Sequence, residues 1–417
     1  MFVQNTMVHD ARVRKEARTL TEAGYDVTVV CLLDSARTPR EEIVSGFRIF
    51  RISPDIITRT RRPAGPSAEF TLSAANGLGA DSGRPALHRR GALARADRVT
   101  RLARYPLRRA LAFLRFVRAG VHARADVYHA HDLNTLLIAW TASRLRRKPL
   151  VYDSHEIETD RAGLKMRWWA CFLERALIGR ADRVICTNQT RADYTQRRYG
   201  IVPPTILRNL PAYVEPPPSK LMHERLGLPP DTRIVLYQGG VQRERGLEEL
   251  LAAAPDIRGG VIVILGSGRL KPLLEQRVRE LGLESRVLFH EAVPVEELPA
   301  WTAGAYLGLQ VLQNTCFNHY SSLSNKLLEY LMAGVPVIAN DLPEMRRVIE
   351  DTGAGLIIVA SDPHKIAEAV NLLLGDERLR QEMSEKAVRA RCRYCWEVEE
   401  HVLVDLYAGL LAPSVTG

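Results

Sequence analysis

The sequence predicts an α/β protein with parallel sheets, arranged as two successive halves. Three observations predict it. Apolar runs of strand length alternate with helical patterns through both halves. A Pro-rich run, Pro211-Ala-Tyr-Val-Glu-Pro-Pro-Pro-Ser219, separates them as a stiff linker. With 417 residues and 46% hydrophobic content, the chain can fill two cores of ordinary size.

In the first half, strands are expected over 26–33, 47–52, 127–130, 150–152 and 183–187. Helices fall between them, for example over 12–22 and 133–146. In the second half, strands are expected over 233–237, 261–265, 287–289, 307–311, 335–339 and 355–359. Helices over 247–254, 270–281, 323–333 and 363–374 separate them. A last helix over 396–411 is expected to return across the linker toward the first domain. The domains are therefore 1–212, 213–395 and the returning segment 396–417.

Charge is unevenly placed. Arginine outnumbers lysine 50 to 8, and the chain as a whole is +10. Residues 51–124 alone hold 16 Arg and no Lys against Asp55, Glu69, Asp81 and Asp97, which is +12. Within that segment, 54–95 reads as a mobile loop of Pro, Gly, Ser, Ala and Arg. Residues 98–120 read as a basic amphipathic helix suited to an anionic membrane surface, with a solvated helix over the sheet as the plainer reading. Aromatic residues are not interleaved with the arginines, so nucleic acid is not an expected partner.

No run of apolar residues is long enough to span a bilayer, and the N-terminus lacks a signal-peptide layout. A cytoplasmic protein is the expectation, with a peripheral place at the inner face of the cell membrane as the option that the basic helix adds. The six cysteines are scattered. Cys392-Arg-Tyr-Cys395 has metal or redox spacing, but no second Cys or His pair accompanies it, so an incidental role is expected.

The most informative stretch is Ser321–Asn340. It reads as a polar loop, a helix, and a Gly-Val-Pro turn into a buried strand. A helix N-terminus offers free N–H groups and the positive end of its dipole, which suits a phosphate. Asn325 and Lys326 add donors there, and two Ser, including Ser324, precede them. Glu329 lies one turn on, placed to accept from a ribose diol. Gly266 and Gly268 in Gly266-Ser-Gly268 sit between a strand and a helix, where glycine lets the backbone approach a ligand.

Taken together, Asp10–Ala17, Asp126–Asp132, Leu150–Glu156, Tyr237–Gly240, Gly246–Glu249, Gly266–Gly268 and Ser321–Asn340 resemble the retaining GT-B glycosyltransferases of the GT4 family. The resemblance implies two Rossmann-like, doubly wound domains facing across a cleft. It implies transfer of a hexosyl group from a nucleotide-sugar, with retention and without a metal. No Asp-x-Asp occurs in the chain, so a metal-held diphosphate is not expected, and no cofactor is. A domain of this family opens with a full strand, yet only Met1–Asn5 precede the loop. Either that strand is very short or Met1 is internal.

The family pattern places Gly-Arg after the first strand of the second domain and Lys-Gly five residues on. Here Gly239-Gly240 and Arg245-Gly246 stand at those places, so the first Arg is replaced by Gly240. The family also carries two glutamates eight residues apart. Glu329 matches the second, and Ser321 occupies the first. Lys326 and Arg245 are expected to form the cationic pair for the diphosphate, and Glu291 lies where the base is contacted. From the first domain, His131, with Asp132 beside it, matches the histidine that contacts the donor sugar, and His129 shares its strand face. His155 and Glu156 end the next strand on the acceptor side. Asp10 and Arg12 face the acceptor in the family, with helix capping an equal reading for Asp10.

The basic helix motivates a glycan or lipid-linked acceptor of the cell envelope or of an exopolysaccharide. A soluble natural-product acceptor stands as an alternative. So does a non-catalytic partner subunit, motivated by Ser321 and Gly240. An epimerase or phosphorylase lacks a persuasive base or cofactor lysine, and a NAD-dependent dehydrogenase lacks its Gly-x-Gly-x-x-Gly unit.

Overall fold

The computed structural model describes residues 1–412 except 9, 35, 54–107, 161–166 and 217. The expected loop over 54–95 and the first part of the basic helix therefore lie outside the described residues. Two compact units emerge, one of 1–128 with 138–148, the other of 129–137 with 149–417.

The first unit begins with α1 (Ala11–Glu22), β1 (Thr28–Leu32), β2 (Glu41–Val44) and β3 (Phe47–Ile52). The order is β1-β3-β2, with β1 parallel and β2 antiparallel to β3. β2 was not expected. Its signal is the two-residue turn Ser45-Gly46, both at positive φ (48° and 84°), which matches the twist of a tight hairpin. Its residues alternate exposed and half-buried, as an edge strand can afford. Met1–Asn5 runs beside β1 with a single bridge, Phe2 to Val30, and Leu32 N donates to Asn5 O at 2.8 Å. Residues 108–123 are helical, α2, with Phe116 and Val117 buried and Leu114 exposed.

The chain continues through β4 (Tyr128–His131), α3 (Leu133–Arg146), β5 (Leu150–Ser154), α4 (Arg167–Leu177), β6 (Arg183–Cys186), α5 (Gln189–Tyr199) and β7 (Thr205–Ile206). These strands form a sheet in the order β4-β5-β6-β7, with β5, β6 and β7 parallel. β5 is buried along its whole length, so its residues read as an unbroken apolar and small run rather than an alternation.

Next come α6 (Leu221–Leu226), β8 (Ile234–Gln238), α7 (Leu247–Ala253), β9 (Val261–Leu265), α8 (Lys271–Glu280), β10 (Val287–His290), α9 (Leu298–Thr302) and β11 (Leu307–Gln310). They are followed by α10 (Phe317–Tyr320), α11 (Asn325–Ala333), β12 (Val337–Asn340), α12 (Pro343–Thr352), β13 (Gly355–Ile358), α13 (Pro363–Gly375), α14 (Glu377–Ala390) and α15 (Trp396–Leu411). The six strands are all parallel in the order β10-β9-β8-β11-β12-β13. The order reverses on either side of β8, which makes the strand ends there a topological switch point. Apolar clusters pack on both faces of this sheet, one around Val235, Tyr237 and Leu309, the other around Leu236, Tyr330 and Leu331.

Two close contacts fix this packing. Gly308 lies against the Tyr330 ring, where a Cβ would sit 2.5 Å from it. Tyr330 Oη donates to Leu236 O at 2.9 Å and accepts from Gln238 N at 3.1 Å. At the chain's end, Trp396 N donates to Pro211 O at 2.7 Å, and Arg208 pairs with Glu399 at 2.6 Å. Among the described residues, no helix is long and apolar enough to cross a membrane.

Candidate active site

The second unit carries two groups of functional side chains. The first sits at the ends of β4 and β5. Strand alternation on β4 stacks the His129 and His131 rings, centroids 4.2 Å apart. Both are fully buried. His129 Nδ1 lies 2.9 Å from Tyr407 Oη, and burial followed by the nearby His131 holds its pKa well below the usual imidazole value. His129 is thus a neutral, structural partner of α15.

His131 Nδ1 lies 3.1 Å from His155 Nε2 and 3.5 Å from Asp153 Oδ2. His155 is clasped by two carboxylates, with Nε2 at 2.9 Å from Asp153 Oδ2 and Nδ1 at 3.3 Å from Asp132 Oδ2. Burial opposes its charged form, but Asp132 and then Asp153 outweigh it and raise its pKa well above the usual value. Burial likewise opposes the Asp132 carboxylate, and the His155 charge overcomes it and lowers that pKa. Asp132 also accepts from the His155 backbone N–H at 3.0 Å. It sits at φ 62°, a left-handed conformation that Asp tolerates better than most residues. Asp132 and His155 are both partly exposed, whereas Asp153 is fully covered.

The second group surrounds the N-terminus of α11. The helix starts at Asn325, so Lys326 and Glu329 fall on its first turns, and the Ser324 side chain makes no capping bond. Lys326 Nζ stands 4.0 Å from the centroid of the Tyr237 ring. Its pKa is lowered to about 7, first by burial and then by the Arg245 charge, with Glu329 opposing. Glu329 accepts from Gln238 Nε2 at 2.6 Å, and Gln238 Oε1 accepts from Thr302 Oγ1 at 2.9 Å. Burial raises the Glu329 pKa, offset in part by Gln238 and Lys326.

Two backbone turns, 239–241 and 266–268, pack against each other, and the first of them touches Lys326. A Cβ on Gly266 would lie 1.9 Å from Gly239 O, and one on Gly268 would lie 2.0 Å from Val241 O. A Cβ on Gly239, at φ +124°, would meet Lys326 Cε at 3.3 Å. Only glycine allows this approach. Gly240 is different, because a Cβ there meets nothing closer than Gln242 at 3.9 Å. Glu291 is exposed and pairs with Ser267 Oγ at 2.6 Å and with Lys271 Nζ.

Ser321 is fully buried. Its hydroxyl donates to Phe317 O at 2.8 Å and accepts from Arg191 Nε at 3.1 Å, while its carbonyl accepts from Asn188 Nδ2 at 2.7 Å. Arg191, buried on α5, also donates to Thr187 Oγ1 and Asn318 O. Glu156 is exposed after β5. In the other unit, Asp10 caps α1 by accepting from Val13 N at 3.1 Å, and Arg12 pairs with Glu16 at 2.8 Å. All six cysteines are free, with Cys392 exposed and Cys395 buried.

Sequence reasoning named His131, Asp132 and His155 but not Asp153, although Asp153 alternates with His155 and shares its face. It also passed over Tyr237 and Gln238. Both lie inside the quoted Tyr237–Gly240 run, but their contacts with Lys326 and Glu329 depend on a fold that joins positions about ninety apart in sequence.

Residues 10–211 match the model of the glycosyl transferase 4-like domain, and residues 219–390 match that of glycosyl transferases group 1. The D-inositol 3-phosphate glycosyltransferase of Xylanimonas cellulosilytica is 26% identical over 306 residues, covering 68% of this chain and 72% of that one. The enzyme of the same name from Thermobispora bispora is 26% identical over 317 residues, covering 69% and 71%. Sucrose-phosphate synthase from Thermosynechococcus elongatus has a similar structure, with TM-score 0.71 and 20% identity over 96% of this chain and 92% of that one. Anabaena HepE, solved in complex with UDP-glucose, has TM-score 0.69 and 15% identity over 98% of both chains. The chain is a glycosyltransferase with the GT-B fold and belongs to the GT4 family.

Proposed function

We propose that the chain transfers a hexosyl group from a nucleotide-sugar to a cell-envelope, lipid-linked or exopolysaccharide acceptor, with retention and without a metal. One observation carries the reading: a partly covered lysine on the first turn of α11, over an aromatic ring and beside glycine turns, one turn ahead of Glu329. This is an anion site with a carboxylate placed for hydroxyls. HepE, which shares the fold, was solved with UDP-glucose, and this supports a diphosphate-linked donor.

In this reading Lys326, Arg245 and the α11 amides neutralise the diphosphate as ground state and as leaving group. Glu329, oriented by Gln238, accepts from the ribose diol. The sugar C1–O bond to phosphate breaks as the bond from C1 to the acceptor oxygen forms on the same face. The acceptor proton passes to the departing diphosphate oxygen. His131 is the family's donor-sugar contact; it is covered here, and the partly exposed His155 and Asp132 lie on its open side, so reaching the sugar requires His155 to shift. Because side chains supply the positive charge, activity is expected to survive chelation of divalent metals.

A phosphorylated cyclitol acceptor is a second reading, favoured by the name D-inositol 3-phosphate glycosyltransferase that several relatives carry. The basic segment 98–120 supports an acceptor at a membrane.

Thermal stabilisation across UDP-, GDP-, dTDP- and ADP-sugars tests the donor site. Saturation at a hundredfold excess over Kd stabilises by about 2.7 kcal/mol. A shift with one nucleotide, lost in Glu329→Ala, is the expected result. No shift with any of them in folded protein would favour a non-catalytic partner subunit instead.

A further inference from the structure

We propose that the outward face of α4 is a docking surface for an anionic lipid bilayer. Trp168 and Phe172 are 69% and 60% exposed, and Trp169 beside them is 44% exposed. The three rings touch: Trp168 meets Trp169 edge-on at 5.8 Å, and Trp169 stacks on Phe172 at 5.7 Å. A contiguous aromatic patch on a water-facing helix marks an interaction site.

The helix cannot turn this face inward. Its buried side is fixed by Glu174, which accepts from Tyr152 Oη at 2.9 Å and from Tyr199 Oη at 2.6 Å. Leu177 and Ile178 are buried beside it. Glu174 is the only acid on α4, and it points away from the patch.

The other charges on α4 are Arg167 and Arg175, both exposed, with Arg167 paired to the half-buried Asp160 at 2.7 Å, and exposed Arg180 follows just beyond the helix. Tryptophan favours the headgroup level of a bilayer, where its ring is apolar and its N–H stays wet. Arginines beside such rings are attracted to the phosphates of an anionic leaflet. A second copy of the chain fits less well, since a self-complementary contact across this face would set arginines against arginines. The proposal rests on α4 alone, and it holds whichever acceptor is used.

The test is co-sedimentation of the full chain with phosphatidylcholine vesicles, with and without phosphatidylglycerol. Binding is expected only to the anionic vesicles. The variant Trp168→Ala/Trp169→Ala/Phe172→Ala should bind at least about tenfold less, and Arg167→Gln/Arg175→Gln about fivefold less or weaker still. Unchanged Tm and unchanged UDP-induced stabilisation would show that both variants are folded with an intact donor site. The proposal is overturned if the folded aromatic variant sediments like the parent, which would assign lipid binding to 98–120. It is equally overturned if the parent ignores anionic vesicles, or if the aromatic variant changes the oligomeric state instead.

Discussion

The ammonium of Lys326 stands over the ring of Tyr237, 4.0 Å from its centroid, and the same ring closes a hydrogen bond from its hydroxyl to Gly240 O at 2.9 Å. The ring face offers partial compensation for a charge that burial and Arg245 oppose, leaving the lysine pKa at about 7. An arriving diphosphate changes that balance, so nucleotide binding above pH 7 takes up a proton. UDP affinity should therefore fall by about tenfold per pH unit above pH 7, until the pKa of the bound state is reached. Calorimetric titration at several pH values checks this, and Lys326→Ala should bind weakly with no such slope. In the free protein the sign is opposite to that of a salt-bridged lysine. The folded pKa lies below the ordinary 10.5, so the unfolded chain binds more protons between about 7 and 10.5, and stability rises with pH across that window.

The glycine turns make contrasting predictions. Gly266→Ala places a methyl against the Gly239 carbonyl at φ +151°. It should cost about 1–3 kcal/mol from backbone strain, with the clash adding to that, and should abolish UDP binding. Gly240→Ala meets open space and should be neutral for both. Gly240→Arg restores the cation of the family pattern and should tighten UDP by about tenfold or more, as a charge-assisted phosphate contact does. Thermal shifts with UDP on the three purified variants settle the order.

These contrasts also show what the sequence could and could not reveal. Strand and helix positions in the second half were legible because apolar runs of β8, β9 and β12 are buried on both faces and bounded by glycine or proline. The start of α11 and the Gly266 turn were legible for the same local reason. β2 was not, because its half-exposed residues carry two glutamates and only Ser45-Gly46 marks the turn. Asp153 was passed over because its role depends on His131 from a neighbouring strand. Ser321 looked like a lost carboxylate in the sequence. Its contacts with Arg191 and Asn188, more than a hundred residues away, become visible only in the fold.

Ser321→Ala removes the acceptor of a buried guanidinium N–H. It should lower stability by about 1–3 kcal/mol, read from the denaturant midpoint at constant slope. If Ser321 serves chiefly to seat Arg191, UDP-sugar affinity of the folded variant should match the parent. A variant of parental stability with weakened donor affinity would instead place the hydroxyl on the sugar.

His155 provides the remaining prediction, because its charge depends on both carboxylates that hold it. Its folded pKa lies above the ordinary 6.5, so its pairing contributes fully below about pH 6.5 and is lost as pH rises through the folded value. Asp153→Asn removes the fully buried partner and leaves the imidazolium with Asp132 alone. It should destabilise by about 3–5 kcal/mol at pH 6, the cost of breaking a buried pair, and by less at high pH, where His155 is neutral in both proteins. Asp132→Asn keeps a residue that tolerates the left-handed backbone and should cost less at pH 6, since that carboxylate is partly exposed. Urea unfolding of the three proteins in a pH series rising from pH 6 separates these terms. If the Asp153→Asn deficit stays the same throughout that series, His155 is not the charged centre of this group. A deficit that shrinks with pH would instead tie the orientation of His131 to a protonated neighbour and predict a parallel alkaline fall in turnover.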